Sequence, residues 1–243
     1  MRIDWSEVYA VEPTFYDRCW EESDSYCCRT NSPHLSFKFM RHDAAGMIYI
    51  HSEWDYCKGL GRIQEGFEEI ARKIEFPIRH GRTIRLVSTY CSLKGLCTFP
   101  EYRPLICRFY PFFPRVSVEQ RRITGYVLGS AVDQYWDLLG LEHPCFLRRK
   151  QESLCLEGLH RLEPLLKNPA ILFYFKAIEI VADRLRDDFK QKYSQLLSLP
   201  PKQFFQRWEL IYLTGKAFDK EGLKQDLASL DEKVARLYGD FEL

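Results

Sequence analysis

The chain has almost no net charge. Its 35 Lys and Arg against 34 Asp and Glu leave +1 over 243 residues. No overall field therefore draws it to nucleic acid or to an anionic membrane, and neither is expected as a partner. It has no apolar run of membrane-spanning length. The opening MRIDWSEVYAVEP lacks the apolar core of a signal peptide. A cytoplasmic protein is expected, with a protein or small molecule as its partner. The sequence shows no fixed-period repeat and no low-complexity tract. It also lacks a Gly-rich phosphate loop, a GxSxG, an HExxH and a nucleotide fingerprint. The commonest enzyme signatures are thus missing, which leaves the question of catalysis open.

What remains is ordinary in bulk and unusual in one residue type. Hydrophobic content of 46% and charged content of 28% suit a globular protein. Nine cysteines accompany them. In a reducing compartment such thiols serve as ligands or reactive groups rather than as structural disulfides. Three of them, Cys91, Cys97 and Cys107, fall in the stretch CSLKGLCTFPEYRPLICRFYPF at residues 91–112. Arg103 and Pro104 precede the third, and Arg108 follows it. Thiolates on an irregular, proline-marked loop suit zinc or an iron–sulfur cluster, because a loop can aim several sulfurs at one point. No C-x2-C finger spacing is present.

The run RPLICRFYPF, with Cys91 and Cys97 before it and Cys27-Cys28-Arg29 upstream, resembles the YkgJ-type cysteine-cluster proteins, a family described as zinc- or iron-chelating. That family carries a CxxCxxCC-like cluster, then a cysteine pair, then RPxxCRxxPF. The resemblance covers roughly residues 19 to 145. Counting back from Cys27-Cys28, the two leading family cysteines would fall at Glu21 and Asp24. Cys19 is the nearest thiol and stands out of step. The resemblance implies that a further cysteine follows the RPxxCR block, which makes Cys145 the candidate closing ligand. The expected ligands are therefore drawn from Cys27, Cys28, Cys91, Cys97, Cys107 and Cys145. Cys19, Glu21 or Asp24 stand as replacements for the missing family cysteines.

Adjacent Cys27 and Cys28 cannot easily bridge each other. One ligates, while the other packs or serves a second site. Four sulfurs would hold either a [4Fe-4S] cluster or a closed structural zinc. The spread of thiols over three segments, without histidines at finger spacing, favours the cluster. Arg103 and Arg108 either offset charge near a cluster or anionic cofactor, or anchor the loop to carbonyls. The aromatic block Phe109, Tyr110, Phe112 and Phe113 is expected to shield the site and build core. A more distant similarity to flagellin lysine N-methylases implies S-adenosylmethionine-linked protein modification as one activity. The radical-type CxxxCxxC triplet is absent. An electron carrier, a metal chaperone and a zinc-stapled interaction module are the non-enzymatic readings.

The expected fold is α+β. Residues 1–146 form a cysteine-rich metal-binding half with a small antiparallel sheet, and an all-helical half, 147–243, packs on it. Residues 1–34 read as irregular. Leu35, Phe37 and Phe39 alternate as a strand, which pairs with Gly46–Ile50 as a hairpin. His42 and His51 flank the second strand and read as ordinary hydrogen-bonded residues. Cys57 lies in a turn-like DYCKGLG. Ile63, Phe67, Ile70 and Ile74 recur at helical spacing. Thr83 to Tyr90 and Arg122 to Leu128 read as strands, the first delivering Cys91 at its end. Ala131 to Leu139 reads as a helix, and Cys155 as core. Asn168-Pro169 caps a long helix that runs to Pro200-Pro201. Two more helices follow, over 202–214 and from Leu223 to Tyr238.

Overall fold

In the computed structural model, which describes residues 1–11, 19–29, 32–41 and 43–243, the short N-terminal helices are α1 (Trp5–Ala10), α2 (Cys19–Glu22) and α3 (Tyr26–Arg29). β1 (Ala45–Ile50) runs directly into α4 (His51–Gly59). The one-turn helix α5 (Phe67–Ile70) leads to the hairpin β2 (Arg72–Arg79) and β3 (Arg82–Cys91). Helix α6 (Leu105–Arg108) carries the RPLICR motif, and the hairpin β4 (Phe112–Ser117) and β5 (Arg122–Leu128) follows it. Then come α7 (Phe146–Lys150), α8 (Glu152–Leu159), α9 (Pro169–Tyr193), α10 (Pro201–Leu213) and α11 (Lys220–Tyr238). The fold is α+β, as expected.

β3 is the central strand of an antiparallel sheet ordered β1-β3-β2. It is also the longest strand, and different stretches of it are buried on opposite faces. Ile84 joins the main core, while Val87 and Cys91 join a smaller cluster with Met47, Tyr49, Trp54 and Cys57. Edge position explains how β2 tolerates Pro77, whose nitrogen cannot donate to a ladder.

The long helix α9 starts as its sequence dictates: the Asn168 side chain accepts from the backbone N–H groups of Ala170 and Ile171, and Pro169 takes the first helical position. β4 and α11 pack against it. Arg115 of β4 reaches Glu179 at 2.7 Å and Asp183 at 2.9 Å. Buried Asp231 of α11 takes Arg79 and Arg82 of the β2–β3 hairpin, each at 2.6 Å. One apolar core runs from Trp5 to Phe241 and draws residues from both sides of position 146. Among the described residues no helix is long and apolar enough to cross a membrane.

Several local expectations give way. Residues 35–39 are no strand, and β1 pairs with β3 instead. The amides of Lys38, Phe39 and Met40 all donate to the buried carboxylate of Glu209, at 2.8, 2.7 and 2.6 Å, so no ladder partner is needed. Ile63 to Ile74 does not make one helix. Gly66 adopts φ +75° at the entry to α5, and the period-two set Ile74, Phe76 and Ile78 then wins as β2. Cys57 is helical, in α4, which stops at Gly59 before left-handed Gly61. Ala131 to Leu139 forms 3-10 turns at Asp133–Tyr135 and Asp137–Leu139, since Tyr135 and Trp136 are both fully buried wedges. Helix α9 ends at Tyr193, and a 3-10 turn covers Ser194–Ser198 before the prolines. The described part of 1–34 holds three short helices. His42 lies outside the described residues.

Candidate metal centre

Cys91 reaches the site because β3 ends there, paired with Ala45 of β1. The chain then loops through Lys94 and Gly95, both in left-handed conformation, to Cys97. Gly95 is required twice over. Its φ is +90°, and a Cβ there would lie 2.4 Å from Cγ of Trp20. That close approach seats α2 on the cysteine loop. Ser25 Oγ donates to the Lys94 carbonyl at 3.0 Å, and left-handed Asp24 and Ser25 turn the chain into α3, which carries Cys27 and Cys28. Cys107 stands in the single turn of α6, whose first carbonyl, Pro104 O, accepts from Cys107 N at 2.8 Å and Arg108 N at 3.1 Å. Cys145 directly precedes α7, docked by a 2.8 Å hydrogen bond from Phe146 N to Ser23 Oγ.

These segments enclose one cavity of about 250 Å³. Cys27, Cys28, Cys91, Cys97, Cys107 and Cys145 all line it, together with Arg103 and Arg108. Every expected ligand is therefore brought to the same space. Cys19 lines it too, whereas Glu21 and Asp24 are exposed. Met40, Trp208 and Tyr212 also line it. No three His, Cys, Asp or Glu side chains among the described residues stand ready in a ligand arrangement. The sulfurs share a cavity, and closing on an ion would require their side chains to rotate inward.

Burial and mutual repulsion oppose charge on most of these thiols. Cys27 and Cys28 are 3.7 Å apart, sulfur to sulfur. The Cys27 thiol, Arg103 and the Gly95 amide together lower the Cys28 pKa to about 7, against the cost of burial. Its hydrogen bond to Cys28, followed by burial, pushes the Cys27 thiol well up. Cys107 is held well above the thiol range by burial and by the charges of Cys28, Cys91 and Cys97. Burial pushes Cys91 and Cys145 up to about 11. A metal bound here would have to displace the protons of these buried thiols, and Cys28 is the one whose proton leaves most readily.

The two arginines differ in what they touch. Arg108 donates to the carbonyls of Val8, Tyr9 and Val11 at 3.4, 3.3 and 2.5 Å, and its guanidinium lies over the Tyr9 ring. It anchors the C-terminal end of α1 to the motif, where a cation also suits the helix dipole. Arg103 Nη2 lies 3.5 Å from the Gly95 carbonyl oxygen, and its charge works against the burial that raises the Cys97 pKa. Its Nε is buried without a partner, as a donor awaiting an anionic group would be. Phe109, Phe112 and Phe113 are buried in the core, while Tyr110 lines the cavity.

Two supporting acids carry no motif. Glu53 is fully buried; its Oε1 accepts from Leu105 N at 2.8 Å and from Tyr9 Oη at 2.9 Å, and its Oε2 accepts from Ile50 N at 3.2 Å. It thereby fixes α6, and with it Cys107, to the end of β1. Burial raises its pKa to about 7. Glu209 holds the segment containing Met40 against α10. Cys57 lies away from the cavity, 3.4 Å from Tyr9 Oη, and Cys155 is in the core. His51 pairs with Asp55. Set against protein-family models, curated proteins and solved structures, the chain matches none.

Proposed function

We propose that the chain is a metal-centre protein that binds a [4Fe-4S] cluster through Cys28, Cys91, Cys97 and Cys107. The observation that carries this reading is the convergence of sulfurs from α3, β3, the following loop and α6 on one cavity beside Arg103. Cys28 is chosen over Cys27 because the Cys27 thiol, Arg103 and the Gly95 amide all favour its thiolate. The size of the cavity favours a cluster over a single ion. Its volume of about 250 Å³ is several times the ~30 Å³ share of a water molecule.

Such a cluster would supply one-electron transfer, since four thiolates leave no iron open to a substrate. The protein's own contributions are separable. Arg103 offsets thiolate charge and offers a free N–H. Glu53 and Arg108 hold α6 in place. Trp208, Tyr212 and Met40 exclude water from the cavity and leave an apolar surface for a substrate in a redox or modification reaction.

The test is anaerobic purification followed by iron, zinc and sulfide analysis and an absorption spectrum. About four irons and four sulfides per chain, with broad absorption near 400 nm, are expected. A colourless protein carrying zinc alone replaces the cluster with a structural zinc and an interaction role. A protein without metal in either form overturns the proposal.

A further inference from the structure

β2 stands at one end of its sheet, with β3 as its single ladder neighbour. Its first four residues, Arg72, Lys73, Ile74 and Glu75, are all exposed, so neither the edge nor either face is covered there. α11 packs on β2, but Asp231 fastens that helix at the other end, by Arg79. A pocket of about 240 Å³ lies along the uncovered stretch, lined by Lys73, Ile74 and Glu75 together with His51, Arg85 and Leu86.

Pro77 shows which backbone groups meet solvent. A proline in a paired strand turns its nitrogen away from the ladder. The pairing with β3 is regular from Arg72 to Pro77, and backbone groups alternate in direction along a strand. The amide and carbonyl of Lys73 and of Glu75 therefore point the same way as the Pro77 nitrogen, out to the open edge. Such an edge is a template for another strand, and a lysine on it ordinarily discourages pairing. Here the lysine has an acid two places on, with an apolar residue between. That order of charges is complementary to itself when two copies run antiparallel.

We propose that β2 is a docking edge for a second copy of this chain, the two strands pairing antiparallel about a two-fold axis at Ile74. Lys73 of each copy then stands opposite Glu75 of the other. The outward backbone groups of these residues make four hydrogen bonds, and their side chains make two ion pairs. Glu75 lies 3.8 Å from Arg85 across its own ladder and keeps an oxygen for the second cation. Ile74 meets Ile74, Arg72 meets Phe76, and the pocket gives room beside the strand for incoming side chains. The neighbouring registers, centred on Lys73 or on Glu75, set like charges against each other, so the charges select the register. The contact is isologous, closes after two copies and joins two three-stranded sheets into one of six. A contact one strand long is small, so the dimer depends on concentration. The inference is independent of the metal centre.

The test is sedimentation of the full chain over a concentration series. Wild type should pass from monomer to dimer. Lys73→Glu and Glu75→Lys should each weaken association at least tenfold. An equimolar mixture of these two variants should dimerise again, because each changed position then meets unlike charge in the other chain. Both positions are exposed, and circular dichroism confirms that the variants fold. Hydrogen exchange on wild type gives the same answer without any substitution: the amides of Lys73 and Glu75 should exchange more slowly at high concentration. Wild type that stays monomeric up to its solubility limit, association that neither variant weakens, a mixture that stays monomeric, or exchange at Lys73 and Glu75 that ignores concentration overturns the proposal.

Discussion

Cys107 lines the cavity with the other expected ligands; Glu53 holds its turn, and its sulfur lies 3.8 Å from that of Met47. Cys107→Ser should lose bound metal and give less soluble protein; metal analysis reads the first and yield the second. Gly95→Ala places a methyl group against Trp20 at a positive φ. It should cost on the order of 1–3 kcal/mol in denaturant unfolding. Glu53 makes a pH-dependent prediction. Between about pH 4.5 and about pH 7 the folded chain keeps a proton on Glu53 that the unfolded chain has lost. Its contribution to stability is therefore fully present below that window and fades as pH rises through it, by about 3 kcal/mol. Glu53→Gln should remove this dependence, so wild-type and variant unfolding curves taken across the window should change their spacing. At this scale the motif cysteines were legible because RPLICRFYPF is distinctive. Cys19 was named only as a stand-in beside Glu21 and Asp24, on which a count back from Cys27-Cys28 lands; the short helices α2 and α3 with their left-handed turn bring Cys19, not the two acids, to the cavity. Glu53 and Glu209 are single acids among many, and nothing in their spacing marks them as buried.

Elements whose signal is local came through the sequence intact. β3 announced itself by alternation, α9 by its Asn-Pro start and apolar stripe, though not by where it ends, and α11 by its periodicity. β2 and the segment at 35–39 did not. In the first, a period of three to four and a period of two overlap at Ile74, and left-handed Gly66 decides between them. In the second, alternation is present, but the backbone donors are claimed by a carboxylate 169 to 171 positions away. Glu209→Ala should release that segment. Three amides lose their acceptor, for a loss on the order of 3 kcal/mol, tempered where water replaces it. Hydrogen exchange at residues 38–40 should accelerate well beyond that of β3, and equal protection in the variant would show that other contacts hold the segment.

At the scale of the molecule, one core joins the cysteine-bearing region to the C-terminal helices, and Asp231 fastens α11 to the β2–β3 hairpin. Asp231→Ala strands two arginines. Arg82 keeps its hydrogen bond to the Phe241 carbonyl and its place over that ring, while the more exposed Arg79 turns to water. A loss of about 3 kcal/mol is expected in chemical unfolding, at the lower end for a broken buried pair. Long-range pairings of this kind leave no trace in local pattern, which is why the α+β class was legible while the contact partners of its parts were not. The aromatic lining of the thiol cavity has a further consequence. Trp208 and Tyr212 belong to α10, so on a ribosome they emerge long after the last cysteine. A cofactor delivered to the nascent chain would meet sulfurs open to oxygen and to competing ions. On the reading proposed above, loading falls to the finished polypeptide, after Trp208 and Tyr212 have joined the cavity lining.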